Sequence, residues 1–145
     1  MNIVVATTQA QIIDAFLIRT AVFVVEQQVP AAEEIDLLDR TARFLVAYDD
    51  AGAPVGTARI LIADAATAKI GRVAVLPAWR HRGLGRQLMA AAETFIKDQT
   101  SASLIKLGSQ ISAQPFYEKI GYEPFGDRFV EAGIDHVMMR KPVHR

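Results

Sequence analysis

Seven consecutive residues carry the first chemical signal. Arg80, His81, Arg82, Gly83, Leu84, Gly85 and Arg86 set three arginines, a histidine and two glycines between an apolar run, "IGRVAVL", and a stretch with helical spacing. A strand that feeds a helix leaves the first backbone N–H groups of that helix without partners, and the helix dipole adds positive charge at the same end. Glycine lets an anion approach such a backbone closely and permits the dihedrals of a tight turn. Arginines around the turn add charge-assisted hydrogen bonds. The chemistry on offer is capture of a pyrophosphate or a similar polyanion. A P-loop needs Gly-Lys-Ser or Gly-Lys-Thr at its end, and this turn has neither. A dinucleotide fold places its glycine turn after the first strand of a parallel βαβ unit, whereas here the turn follows a meander pattern. Cysteine is absent and there is no Gly-x-Ser-x-Gly elbow, so no covalent nucleophile offers itself.

The elements that must position this turn follow from patterning. The 145 residues are 51% hydrophobic and 22% charged, which fits one globular unit over residues 1–145. Sixteen Lys and Arg balance sixteen Asp and Glu, against the net basic face of a nucleic-acid binder. No basic segment precedes the apolar residues of "MNIVVATTQAQIIDAF", and no apolar run reaches membrane-spanning length. With no cysteine, the expectation is a soluble, complete, cytoplasmic protein without membrane or nucleic-acid partners. "NIVVA" reads as a strand. Thr7 or Thr8 caps a helix whose apolar positions are Ile12, Ile13, Phe16, Leu17 and Val24. Pro30 interrupts a polar stretch, giving a loop with at most a short second helix as far as Thr41. "ARFLVAYDD", "VGTARILIAD" and "IGRVAVL" form a three-strand meander with turns at "DDAGAP" and "ATAK". Leu84, Leu88, Ala91, Ala92 and Phe95 make one apolar helical stripe. "SLIKLGS" is a strand, Ser112 caps a short helix stopped by Gly121, and two final strands flank "EAGID".

Arg-x-x-Gly-x-Gly at Arg80, Gly83 and Gly85, preceded by "VAVLPAW", resembles the signature of the GNAT family, N-acetyltransferases that use acetyl-CoA. The element order is similar to the family's over essentially the whole chain. Gln110, Ala113, Tyr117, Gly121 and Tyr122 stand where members carry Asn-x-x-Ala-x-x-x-Tyr-x-x-x-Gly-Phe, with Gln in place of Asn and Tyr in place of Phe. "IRTAVFVVEQQVPAAEEID" is similar to the N-terminal part of the subgroup containing the bacterial ElaA and YjcF proteins. The resemblance implies an α/β acyl-CoA N-acyltransferase fold, a mixed, mostly antiparallel sheet flanked by helices. It implies acetyl-CoA as cosubstrate, with direct transfer of the acetyl group to a primary amine in a ternary complex. The backbone of Arg80, His81, Arg82, Gly83, Leu84, Gly85 and Arg86 then binds the CoA pyrophosphate. Val73, Ala74 and Val75 pair with the pantetheine arm as an added strand, and one of their N–H groups holds the oxyanion. Gln110 takes the place of the family's Asn, and Tyr117 is the general acid that protonates the departing CoA thiolate.

Each role has a plainer competitor. Tyr117 beside Phe116 also fits a core-edge aromatic, His81 a loop residue at the edge of the site, and Trp79 an anchor beneath the loop. The base that deprotonates the acceptor is drawn from Glu26, Glu33, Glu34, Asp36, Asp39 and His136, with Glu26 ranked first because it directly follows the first helix's apolar run. For any single member of "EEIDLLD" a solvated loop is the favoured reading. Arg59 is either a buried ion-pair partner or an acceptor contact. The three scattered histidines form no metal-ligand cluster, and no metal is expected. The acceptor is a small-molecule or peptide amine, with a polyamine, an antibiotic, an amino acid and a protein N-terminus all open. Family analogy adds a homodimer through the C-terminal strands. The competing class is a non-catalytic acyl-CoA-binding regulatory module, which keeps the cradle and lacks a base.

Overall fold

A computed structural model describes residues 1–145. In chain order the elements are β1 (Asn2–Val5), α1 (Gln9–Arg19), α2 (Ala31–Glu34), β2 (Arg43–Tyr48), β3 (Pro54–Ile62), β4 (Thr67–Val75), α3 (Leu84–Gln99), β5 (Leu104–Gln110), α4 (Gln114–Lys119), β6 (Glu123–Glu131) and β7 (Ile134–Pro142). The strands make one seven-stranded sheet in the order β1-β2-β3-β4-β5-β7-β6. Every neighbouring pair is antiparallel except β4 with β5. This is the mixed, helix-flanked sheet that the sequence pattern predicts.

The two faces of the sheet follow from the period of two along each strand. One face packs Leu45, Ala58, Ile60, Ile70, Ile105, Leu107, Val137 and Met139 against Leu84, Leu88, Met89, Ala92 and Ile96 of α3. The alternate residues Phe44, Val46 and Ala74 lie on the other face, under Ala15, Ile18 and Val22 of α1 and its extension. Within α3, Met89 and Ile96 are sealed in the core, while Ala91 and Phe95 of the expected stripe are only partly buried.

Thr8, not Thr7, caps α1, in a reciprocal box: Gln11 N–H donates to Thr8 Oγ1 at 3.2 Å, and Thr8 N–H donates to Gln11 Oε1 at 3.2 Å. The expected apolar stripe of α1 is only partly the buried one. Ile13 and Leu17 are exposed, whereas Ala15, Ile18, Arg19 and Val22 are buried. Two physical causes act. A buried, ion-paired Arg19 scores as polar in any periodicity count. The helix also widens after Arg19 into a π-type stretch, Thr20–Glu26, with Gln27 N–H donating to Val22 O at 3.1 Å. That widening shifts the phase on which Val24 was placed.

Two turns also differ from expectation. Thr67–Lys69 of "ATAK" already pair with β5, and the reversal falls at 63–66, where Asp64 Oδ1 accepts from the amides of Ala66 and Thr67. Ser112 does not cap α4. A 3₁₀ turn, Ile111–Ala113, leads into it instead, Ala113 is the entry residue, and Gly121 ends the unit with φ of +100°.

The feature that positions the site is a split in the sheet. β4 and β5 pair only from Thr67–Lys69 to Leu104–Lys106, after which the partnered edge of β4 is lost and β5 pairs with β7 alone. Between Thr57↔Ala74 and Arg59↔Gly71 the register advances two residues on β3 and three on β4. The extra residue falls at Arg72, whose φ is +51°. A bulge bends its strand and increases local twist, which carries the C-terminal half of β4 away from β5.

Candidate active site

The V between β4 and β5 opens onto the N-terminus of α3. Gly83, the residue that enters the helix, has φ of +81° and supplies no side-chain cap. The first intrahelical bond runs from Gln87 N–H to Gly83 O at 3.1 Å, so the amides of Leu84, Gly85 and Arg86 find no acceptor in the helix. His81, at φ +62°, precedes Gly83 in the same left-handed region with Arg82 between them. Backbone of this kind folds successive amides into a concave anion nest. A cavity of about 520 Å³ sits over it, walled by Val75, Trp79, His81, Gly85, Phe116 and Lys119 among others. Leu84 is buried in the core and fixes the start of the helix.

The three arginines of this loop have separate fates. Arg80 Nε donates to Val75 O at 2.9 Å, while its two terminal nitrogens donate to Glu26 at 2.7 and 2.6 Å. It therefore ties the end of β4, the loop and the end of the first helix together. The Arg82 guanidinium lies 5.1 Å from the Trp79 ring centroid, which holds that ring against the loop. Arg86 is exposed on the first turn of α3.

Val73, Ala74 and Val75 line the edge of β4 that faces the gap, beyond its last pairing with β5. Their side chains alternate between the two cores, which leaves the backbone edge for a ligand. Gln110 ends β5, and its Nε2 donates to Gln27 Oε1 across the gap at 2.9 Å. Tyr117 on α4 packs edge-on to Phe116 and Tyr122, with ring centroids 5.0 and 6.0 Å away. Burial pushes its phenol up to about 12 from an ordinary 10.0. The Tyr122 phenol is committed elsewhere, donating to Glu93 Oε2 at 3.0 Å, and burial together with that carboxylate pushes it well above the usual range.

The carboxylates divide sharply. Glu26 is held below the usual carboxylate range by hydrogen bonds from Arg80. Glu34, Asp36 and Asp39, read from sequence as loop residues in solvent, instead join Arg19, Arg59 and Arg72 in one cluster. Arg19 Nε donates to Glu34 Oε1 at 2.7 Å and its Nη1 to Asp39 Oδ1 at 2.7 Å; Arg19 is wholly buried and Glu34 nearly so. Arg59 donates to Asp36 and Asp39 at 2.9 and 3.0 Å, which makes it an ion-pair partner and not an acceptor contact. Arg72, from the bulge, donates to the Glu34 carbonyl at 2.9 Å and reaches Asp36 at 3.4 Å. Burial pushes the Asp39 carboxyl up, but hydrogen bonds from Arg19, the Asp36 amide and Arg59 outweigh it and hold the group at about 2. Three arginines against three carboxylates leave the cluster neutral, and it clamps the loop after α1 onto β3 and β4. Glu33 stays exposed outside it. His136 faces a different neighbourhood, near the start of β7 opposite Gln110.

Sequence reasoning missed Gln27, Lys119 and Arg72. Gln27 lies 83 residues from its partner Gln110, a separation no local pattern bridges. Lys119 had a usable signal, since it lies two residues after Tyr117 on the same helix. Arg72 had none, because a bulge is invisible to alternation.

Comparison with known proteins agrees with this geometry. The model of the acetyltransferase (GNAT) domain matches residues 4–143. The uncharacterized N-acetyltransferase YjcF of Bacillus subtilis is 40% identical over 142 residues, covering 97% of this chain and 99% of that protein. The crystal structure of Escherichia coli ElaA superposes with a TM-score of 0.84 at 29% identity, covering 97% of both chains. That of an acyl-CoA N-acyltransferase from Pseudomonas aeruginosa gives 0.85 at 29% identity, covering 97% of this chain and 99% of the other. A seven-stranded sheet parted between its parallel pair, a bare helix N-terminus at the mouth of the parting, and a match along 4–143 converge on one assignment: the chain belongs to the GNAT family of acetyltransferases.

Proposed function

We propose that the protein transfers an acetyl group from acetyl-CoA directly to a primary amine. The observation that carries this reading is the gap between β4 and β5, which ends at the uncapped start of α3. A pyrophosphate fits the amides of Leu84, Gly85 and Arg86, with Arg86 and Lys119 adding charge at the rim of the cavity. A pantetheine arm fits along Val73–Val75, where the backbone edge has lost its strand partner. A backbone N–H of that edge then meets the oxyanion of the tetrahedral intermediate.

Tyr117 is the proton donor to the departing sulfur. A phenol held at about 12 keeps its proton throughout the working pH range. An isolated thiolate is a weaker base than that phenolate, so the transfer is concerted with C–S cleavage. Glu26, first-ranked as a base from its position, is read instead as the clamp on Arg80: a carboxylate held down by a bidentate guanidinium is poorly suited to take a proton. The setting is cytoplasmic, where acetyl-CoA is made and used.

The test incubates the protein and acetyl-CoA with a panel of polyamines, aminoglycosides, amino acids and peptides, and follows free-thiol release and product mass. Acetylated amine formed with equal thiol release supports the reading. Acetyl-CoA binding without turnover on any amine class would convert it to that of a non-catalytic acyl-CoA-binding module.

A further inference from the structure

We propose that His136 is the general base of this acetyl transfer, taking the acceptor's proton on Nε2; the inference rests on the acetyl-transfer reading above. His136 Nδ1 lies 2.6 Å from the Ile134 carbonyl oxygen. A carbonyl only accepts, so Nδ1 carries the hydrogen in the neutral ring and Nε2 carries the lone pair. The ring is held in that orientation by stacking on Phe129, with centroids 5.5 Å apart and planes 24° from parallel. Its side chain is only 10% exposed, yet Nε2 is not sealed: the buried side-chain atoms without a partner are Glu34 Oε2 and Arg59 Nε.

Register places His136 beside the residue that spans the gap. Gln110 and His136 are directly paired across β5 and β7, so their Cβ atoms lie about 5 Å apart on one face. Ser109↔Val137 and Leu107↔Met139 alternate onto the α3 face, which puts Gln110 and His136 on the α1 face. From there Gln110 reaches across the opening to Gln27. Tyr117 packs on the opposite side, against the α3 core. An amine entering from the α1 face thus meets His136, and a sulfur leaving on the other side meets the Tyr117 phenol.

The charged group facing Nε2 is Glu131 of β6, with Oε2 at 3.8 Å. Gln110 on β5 and Phe129 on β6 are neutral, while Lys106 and Arg140, farther along the same face, stack on Phe125. Glu131 is the carboxylate nearest that nitrogen, and its own side chain is largely exposed. In the step, the acceptor ammonium gives one proton to Nε2. The amine nitrogen bonds to the thioester carbon, and the C–S bond breaks with its electron pair on sulfur, which takes the Tyr117 proton. The second proton of the new amide nitrogen restores the phenol, and the imidazolium releases its proton to solvent. Ammonium plus thioester becomes amide plus thiol plus one proton.

Two measurements test this. Long-range ¹H–¹⁵N correlation on the ligand-free protein at alkaline pH should show His136 protonated on Nδ1; an Nε2–H tautomer overturns the proposal without reference to any acceptor. With an amine from the panel, His136→Gln should lower kcat by roughly 10²–10⁴-fold and abolish the acidic limb of the kcat–pH profile, with CoA affinity by calorimetry unchanged. A His136→Gln enzyme that keeps the wild-type acidic limb, or that loses CoA affinity in parallel with rate, overturns the assignment. Wild-type turnover on the panel reports on acetyl transfer itself, so the two readings fail separately.

Discussion

Replacing Asp39 with Asn tests whether the charged cluster that clamps the loop after α1 holds the fold together as its geometry implies. Asp39 accepts from Arg19 at 2.7 and 3.1 Å, from Arg59 at 3.0 Å and from the Asp36 amide at 3.0 Å, with its side chain only 6% exposed. The net effect lowers its carboxyl from 3.8 to about 2. A folded value below the unfolded one means stability that is present above pH ~4 and lost as pH falls toward ~2. At about 1.4 kcal/mol per unit, the shift is worth on the order of 2 kcal/mol. Urea unfolding of wild type alone cannot isolate this, since sixteen Asp and Glu residues titrate in the same window. The difference between wild type and Asp39→Asn can. At pH 6 the variant should be less stable by roughly 3–5 kcal/mol, because Arg19 is left with excess buried charge. Between pH 4 and pH 2 that difference should shrink by about 2 kcal/mol as wild type loses the same contribution. A difference that stays constant across the window would refute the reasoning, because it would mean that the ion pairs add nothing beyond the shape of the side chain.

Three further outcomes bear on the site. Gly85→Asp should fold with an unchanged or slightly higher Tm, because its Cβ meets Phe116 at an ordinary 3.5 Å and a carboxylate in the first turn of α3 favours the helix; CoA affinity by calorimetry should nonetheless fall by roughly 10²–10³-fold, from like-charge repulsion of about 4 kcal/mol at 4 Å. Tight CoA binding by that variant would move the pyrophosphate elsewhere. Tyr117→Phe should lower kcat by roughly 10²–10⁴-fold with CoA affinity intact and no change in the pH profile between ~6 and ~10, since a phenol at about 12 does not titrate there; near-normal kcat would return the ring to a packing role. Glu26→Gln removes an ion pair that is part exposed, so the KM for acetyl-CoA should rise by no more than about 5-fold with kcat kept, whereas a kcat loss near 10²-fold would make Glu26 the base after all.

The element order was legible because the breaks between elements are chemically marked: Asp, Gly and Pro at "DDAGAP", glycines at the start of α3, Gly121 after α4. The glycine turn that enters α3 was legible for the same reason, since Gly83 at φ +81° needs the residue that the sequence provides. What hid was every feature made by distant partners. Arg19 reads as solvent-facing until Glu34 and Asp39, 15 and 20 residues away, close on it. "EEIDLLD" reads as a hydrated loop until the same closure buries two of its acids. The His136 tautomer is set by a carbonyl two residues away, but only because the β6–β7 hairpin turns at Ala132 and Gly133, both at positive φ.

One inserted residue couples the two halves of the site. Arg72 is the extra residue of the β4 bulge, and its left-handed backbone is what turns Val73–Val75 away from β5. A non-glycine residue at φ +51° carries a cost of order 1–3 kcal/mol, so something must hold it there. The holding force comes from its own side chain, which donates to the Glu34 carbonyl and approaches Asp36 and Glu34 Oε1. Those acids are in turn fixed by Arg19 and Arg59. The gap between β4 and β5 and the loop after α1 therefore share one anchor. In this fold the buried charges grip the bulge just past the point at which β4 stops pairing with β5.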